Sequence, residues 1–267
     1  MFKKKILAII SARLDSKRLP NKALKEYKGH KIIDRIIVNL KASKFINKVI
    51  VATSKNKSDK RIYEYCKKKK INCFRGDEYN LIKRFYEAGK KYKPKIIVRA
   101  TGDNPFISHE ITNFLIKSHI RKNAEFTCME KKYLPSGICP EIINYDCFKK
   151  ILKFNINFNY SEYMTFYFIN NPNIFNLNII KPIKKFKIKN SKLRLTLDYK
   201  DDFIFFKKMI DLLKLKKGPT DLSKIYEVIK KNPNITKLNE HCETKWLSNH
   251  NLIKKINEVS KIAKSKL

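Results

Sequence analysis

Short apolar runs alternate with stretches of helical period along the early part of the chain. Residues 5–10 predict a strand, apolar from Ile6 to Ile10, and a basic loop over residues 11–22 follows it. Ile32, Ile33, Ile36, Ile37 and Leu40 recur on one helical face. Residues 49–53 predict a second strand, closed by the polar stretch 54–58. A polar helix near 59–69, a short strand at 71–74, a helix marked by Leu81, Phe85 and Ala88, and a buried strand at 96–98 complete the series. Strand and helix alternating in this way predict an α/β fold with a mostly parallel sheet and right-handed crossovers.

Beyond residue 124 the alternation loosens. Short extended pieces at 125–129, 141–145 and 175–180 are interleaved with helices near 146–154 and 161–170. This stretch, about 125–190, reads as an insertion, suited to a substrate lid or a dimer arm. Residues 193–198 read as a strand returning to the main sheet and ending at Asp198. Phe203, Phe206, Ile210 and Leu213 then mark a helix, with Gly218-Pro219 as the stop signal. With no internal repeat and no Pro/Gly/Ser-rich linker, the expected organisation is one domain over residues 1–230. A basic helical extension over 231–267 follows, in which Trp246 is expected to anchor the tail.

Composition narrows the picture. The 267 residues are 43% hydrophobic and 12% aromatic, enough for a packed core and against disorder despite a net charge of +37. Sixty-one Lys+Arg against 24 Asp+Glu is the footprint of a phosphate or nucleic-acid binder. The bland alternative is lysine-rich codon usage that fills solvated surface, so charge alone names no partner. No run approaches the roughly 18–20 apolar residues of a membrane span. The apolar run after Met1 is short for a signal peptide and is interrupted by Arg13. Cysteines 66, 73, 128, 139, 147 and 242 show no metal spacing and read as reduced thiols of a cytoplasmic chain. The five histidines form no recognisable ligand pattern, and His109 is expected at the surface.

Three stretches carry chemistry. Residues 11–22 place Arg13, Lys17, Arg18 and Lys22 with the hydroxyls of Ser11 and Ser16 outside the carboxyl end of the first strand, where open parallel sheets bind ligands. That set suits the charges of a triphosphate; a basic surface turn is the plainer reading. Arg99-Ala-Thr-Gly-Asp-Asn-Pro105 ends a buried strand with a carboxylate, Asp103, which is either a magnesium ligand or a turn cap. Asp198 ends 193–198 in the same manner, with Asp201 expected to cap the helix behind it. Asp103 and Asp198 together are candidates to hold Mg²⁺ against a nucleotide.

In combination these stretches are familiar. Ser11-Ala-Arg13 through Ser16-Lys-Arg-Leu-Pro-Asn-Lys22 resembles the N-terminal signature of the CMP-sugar cytidylyltransferases, in particular their spore-coat polysaccharide branch. Ala52-Thr-Ser54 with Asp59, Phe74-Arg-Gly76 with Arg84, Arg99 to Pro105, and Leu195-Thr-Leu-Asp198 with Asp202 follow that branch in order. Glu162 with Thr165, and Pro135, Gly137 and Glu141, match parts of two further elements.

The resemblance implies a Rossmann-like nucleotidyltransferase fold, with helices on both faces of the sheet and an inserted dimerisation and acceptor segment. It also implies a homodimer, CTP as co-substrate and Mg²⁺ as cofactor. By motif, Ser11, Ala12, Arg13, Ser16, Lys22, Thr53, Ser54 and Arg75 are expected to contact CTP. Asp103 and Asp198 are expected to hold the metal, with Arg13, Lys22 and Asp103 catalytic. Arg99, Glu141 and Arg194 are expected to bind the acceptor. The implied reaction is transfer of CMP from CTP to an acidic sugar of ulosonic or nonulosonic type, releasing pyrophosphate, for surface polysaccharide or glycan synthesis. Two alternatives stand beside it: a cytidylyltransferase with a phosphate or phosphonate acceptor, and a non-catalytic polyanion or RNA binder. The enzyme reading expects no specific nucleic acid and no membrane span. The chain departs from the pattern at Ser11 (Gln in the family), Asn21 (Gly), Asp15 inside the phosphate loop, Tyr163 (His) and Cys139 (Asp).

Overall fold

The strand β1 (Ile6–Ser11) is buried along its apolar length because other strands flank it on both edges and helices cover both its faces. The computed structural model describes residues 5–130, 132, 134–154, 156–188, 193–243 and 248–262; Trp246 lies outside them. The elements in order are β2 (Glu26–Tyr27), β3 (His30–Lys31), α1 (Ile32–Lys41), β4 (Lys48–Ser54), α2 (Lys60–Lys68), β5 (Cys73–Gly76), α3 (Leu81–Tyr92) and β6 (Ile96–Thr101). Then come α4 (His109–Arg121), β7 (Phe126–Met129), β8 (Glu141–Asn144), α5 (Tyr145–Leu152), α6 (Met164–Ile169) and β9 (Leu177–Ile180), followed by α7 (Lys200–Leu212), α8 (Leu222–Lys231) and α9 (His250–Ser260).

The main sheet has seven strands in the order β5-β4-β1-β6-β8-β7-β9, and only β8 runs against the others. From β1 the chain builds outward through β4 and β5, then returns to lay β6 on the opposite edge of β1. The loops leaving β1 and β6 therefore diverge and open a crevice at the carboxyl ends of these two strands, the place where such sheets bind ligands. The segment 125–190 supplies β7, β8 and β9 to this same sheet. One apolar layer, built on α1, α4, α7 and α8, covers one face of the sheet. A second, built on α3, α5 and α6 with Ile262 from the C-terminal segment, covers the other. Among the described residues no helix is long and apolar enough to cross a membrane.

Four sequence expectations are corrected. Residues 193–198 do not join the sheet: Arg194 makes a lone parallel bridge to Ser136, and the Leu197 amide donates to the Asp103 carbonyl at 2.9 Å. The segment lies over the turn after β6 with Leu193, Leu195 and Leu197 buried, so its apolar alternation reflects burial without strand pairing. Helix α7 ends at Leu212, short of Gly218-Pro219. Lys214 takes the left-handed conformation (φ 42°), and amide bonds from Lys214 to the Asp211 carbonyl and from Leu215 to the Ile210 carbonyl close the last turn. The carboxylate reaching back over the start of α7 is that of Asp202, which accepts from the amides of Asp198 and Tyr199. Asp201 faces His241 instead, at 3.0 Å. Finally, the His109 ring is largely covered, with its Nδ1 buried.

The β2–β3 hairpin carries no strong sequence signal beyond Lys28-Gly29, whose positive φ angles of 48° and 76° make a two-residue turn. Gly137 holds φ +91°, and a Cβ there would sit 2.8 Å from the Thr196 amide nitrogen and 2.9 Å from Asn104 Oδ1. Gly137→Ala therefore combines backbone strain with a clash against the 193–198 segment. We expect it to cost more than about 1 kcal/mol, read as a lowered Tm in calorimetry.

Candidate active site

Loop 11–22 contains no glycine, and neighbours set its path. The buried Asp59 accepts from the Leu14 amide at 2.7 Å through Oδ1, while its Oδ2 accepts from the Ser54 hydroxyl at 2.5 Å. Asn21 takes the left-handed conformation (φ 59°) that a glycine would otherwise supply, and its amide donates to the Leu14 carbonyl. The loop thus returns to β1 and aims Lys22 into the crevice. The opposite wall comes from the turn after β6. Gly102 is required there, since a Cβ would meet the Ala12 Cβ and the Ser11 carbonyl at 2.9 Å.

Between these walls lies a cavity of about 660 Å³, within the range of sites that enclose small-molecule ligands. Ser11, Ala12, Arg13, Ser16, Lys22, Arg99, Asp103 and Asp198 all line it. At its floor Lys22 Nζ donates to Asp103 Oδ2 at 2.7 Å and to Asp198 Oδ1 at 2.9 Å. Thr101 Oγ1 donates to Asp103 Oδ1 at 2.6 Å and fixes that carboxylate. Asp198 receives two further cations: Arg18 Nη2 at 2.9 Å on Oδ1, and Arg194 Nη2 at 2.7 Å on Oδ2. Burial alone would lower the Lys22 ammonium pKa, but the two carboxylates outweigh it and hold the group above the usual lysine range. Burial likewise pushes Asp198 upward, and Lys22, Arg18 and Arg194 together bring it below the ordinary aspartate value. Burial raises the Tyr163 phenol, which lines the same cavity.

The remaining sequence candidates do not line the cavity. Thr53 and Ser54 are fully buried, and Ser54 serves Asp59. Arg75 spends its guanidinium on the carbonyls of Ser54, Lys55 and Asn56. Glu141 stands one layer back: it accepts from Arg99 Nη1 at 2.7 Å and from the Thr165 hydroxyl, and so orients Arg99. Arg194, with 3% of its side chain exposed, has no face to offer an acceptor; Asp198, Asp202 and Glu243 occupy its guanidinium.

Sequence reasoning did not place Glu78, Tyr79, Arg84 and Asn159 on the cavity, although they line it, and Tyr79 is 74% exposed at its rim. Glu162, noted only as part of a motif, ion-pairs with Arg13 at 3.1 Å, and its carbonyl accepts from Arg99 Nη2. Glu243 lies far along the chain from Arg194, and no local pattern announces the pairing. Among the described residues, two other groups of potential metal ligands, Asp201/His241/Cys242 and His109/Glu110/Asp221, lie apart from the cavity.

One cationic loop and two converging carboxylates in one crevice are equipped to hold a polyphosphate and a hard cation. Comparison with known proteins shows the family. The cytidylyltransferase family model matches residues 7–256. An uncharacterised protein of Methanocaldococcus jannaschii is 34% identical over 245 residues, covering 90% of this chain and 97% of that protein. The spore coat polysaccharide biosynthesis protein SpsF of Bacillus subtilis is 30% identical over 203 residues, covering 74% and 83% respectively. The solved structure of a cytidylyltransferase from Leptospira borgpetersenii superposes with a TM-score of 0.77 at 30% identity, covering 87% of this chain and 97% of that one.

Proposed function

The chain belongs to the cytidylyltransferase family, and we propose that it transfers CMP from CTP to a hydroxyl of an acidic sugar, releasing pyrophosphate, with Mg²⁺ as cofactor. The observation that carries this reading is the meeting of Arg13, Arg18 and Lys22 with Asp103 and Asp198 in one crevice at the β1/β6 boundary.

The residues fit a divalent cation by the chemistry of the donors and by a stand-in. Asp103 Oδ2 and Asp198 Oδ1 already converge on a single cationic atom, Lys22 Nζ, at 2.7 and 2.9 Å. Two carboxylate oxygens plus substrate phosphate oxygens are a usual ligand set for Mg²⁺. When bound, the ion would neutralise phosphate charge as a Lewis acid.

The chain's own residues supply the rest. Arg13, Lys17 and Arg18 line the wall facing a triphosphate, and their charge stabilises the pyrophosphate that departs from the α-phosphorus. The in-line attack comes from the acceptor hydroxyl, so positioning matters more than a dedicated base. Arg99, held by Glu141 and by the Glu162 carbonyl, presents a fixed cation for an acceptor carboxylate. The contacts of Arg99 with Glu141 and with the Glu162 carbonyl, and of Thr165 with Glu141, support placing the acceptor on the 125–190 side. SpsF, named for spore coat polysaccharide biosynthesis, supports a role in making a surface glycan.

Calorimetric titration with CTP, UTP, ATP and GTP, with and without Mg²⁺ at physiological salt, tests the nucleotide. The expected result is a preference for CTP that Mg²⁺ strengthens. Equal weak binding of all four that vanishes as salt rises would instead mark a polyanion surface.

A further inference from the structure

Lys22 stands where a metal would be held. Its ammonium is 2.7 Å from Asp103 Oδ2 and 2.9 Å from Asp198 Oδ1, with only 14% of its side chain exposed. The four oxygens of these two carboxylates are all engaged: Thr101 on Asp103 Oδ1, Lys22 on Asp103 Oδ2, Lys22 and Arg18 on Asp198 Oδ1, and Arg194 on Asp198 Oδ2. Arg194 is locked by two further carboxylates and cannot leave. Arg18 has 45% of its side chain exposed and also rests on the Tyr199 ring, so it has an alternative contact. Lys22 is the donor common to both carboxylates. A dication on the same two oxygens would face the ammonium at close range, and like charges there repel strongly because the site is largely shielded from water. Ammonium and dication therefore exclude one another.

The backbone of Lys22 is pinned by the loop, and its side chain is tethered at the far end through the ammonium's bonds to the two carboxylates. Asn21 is held by the Leu14 carbonyl, and the amides of Leu24 and Lys25 close a short turn onto Asn21 and Lys22. Four methylenes lie between that fixed point and the ammonium. The same cavity wall carries Arg13, Ser16 and Lys17, so an anionic ligand bound there would bring oxygens within reach of the swinging amine.

We propose that Lys22 closes the divalent-cation site of the nucleotide-free protein and gives it up only to a bound triphosphate, so that the cation enters with the nucleotide and not before it. The proposal rests on the cytidylyltransferase reading above and adds an order of binding to it. Because coupling is reciprocal, the cation then strengthens CTP binding by the same factor by which CTP strengthens cation binding.

The test is Mn²⁺ binding followed by the electron-paramagnetic signal of the free ion, corrected for Mn²⁺ held by CTP in solution. In the wild-type protein, CTP should tighten Mn²⁺ binding by at least about tenfold. Without nucleotide, Lys22→Met should bind Mn²⁺ at least about tenfold more tightly than wild type. Adding Asp103→Asn to Lys22→Met should abolish that gain, which locates the ion at the carboxylates. A lysine that merely braces the fold predicts a lower Tm for Lys22→Met with no gain in Mn²⁺ affinity, and that outcome overturns the proposal. If Lys22→Met does not fold, the wild-type arm decides alone: equal Mn²⁺ affinity with and without CTP overturns the interlock. Failure of the underlying reading looks different, because metal-free CTP then shows no preference over the other nucleotides.

Discussion

Asp103→Asn is expected to lower CMP transfer by roughly 10²–10³-fold, the equivalent of several kcal/mol of lost charge stabilisation at the reacting phosphate. The substitution keeps the size of the side chain and its place in the turn but halves the negative charge facing Lys22. The turn does not depend on that charge. Its backbone bond, from the Asn104 amide to the Thr101 carbonyl, is untouched, and the Asp103 side chain remains 21% exposed. The melting temperature should therefore move by only a few degrees while turnover collapses. Pyrophosphate release at saturating CTP and acceptor, set beside a thermal melt, separates the two effects. Turnover within tenfold of wild type would remove Asp103 from the reaction.

Arg194→Met reverses that balance, with the main loss in stability. The guanidinium is buried and donates to Asp202 Oδ1 at 3.0 Å, Asp198 Oδ2 at 2.7 Å and Glu243 Oε2 at 2.5 Å. Asp202 has no exposed side-chain surface, so methionine would leave it buried beside Asp198 without its main countercharge. Removing one member of a buried ion network of this kind costs about 3–5 kcal/mol. For a chain of this size the melting temperature should fall by on the order of 10 °C. Arg194→Lys should recover little, because a single ammonium cannot reproduce three donors set in a plane. Differential scanning calorimetry of both variants decides: melting within about 2 °C of wild type would mean that the network is ornamental. An arginine serving the acceptor directly would instead raise the acceptor KM at unchanged stability.

The architecture was legible where it depended on order alone. Parallel crossovers with short apolar strands put the loops after β1 and β6 on either side of one crevice at the carboxyl edge of the sheet, and that arrangement brings Arg13, Lys22 and Asp103 together without knowledge of any contact. Asp198 was legible as a carboxylate at the end of an extended run, although the run is not a strand. Leu-Arg-Leu-Thr-Leu alternates as a half-exposed strand would, yet Arg194 is as buried as its leucine neighbours. Only carboxylates at 198, 202 and 243 make that burial tolerable, and the last of them is 49 residues away.

Thr53, Ser54 and Arg75 stay off the cavity for a related reason. They end β4 and β5, which lie on the far side of β1 from β6; Thr53 is fully buried, Asp59 takes the Ser54 hydroxyl, and neighbouring carbonyls take the Arg75 guanidinium. The role of Glu141 in orienting Arg99 was hidden because it acts through another side chain. Such second-layer contacts leave no spacing in the sequence.

The tie between Arg194 and Glu243 bears on how the protein comes into being on the ribosome. Every residue that lines the cavity has been synthesised by position 198. The carboxylate that completes the Arg194 fork, and the Asn239 amide that donates to Asp202, arrive only some forty residues later. A nascent chain that already contains every cavity-lining residue is thus electrostatically unfinished. Premature termination just short of residue 239 would yield a product with every cavity-lining residue present but its buried arginine short of a partner, and so a less stable chain.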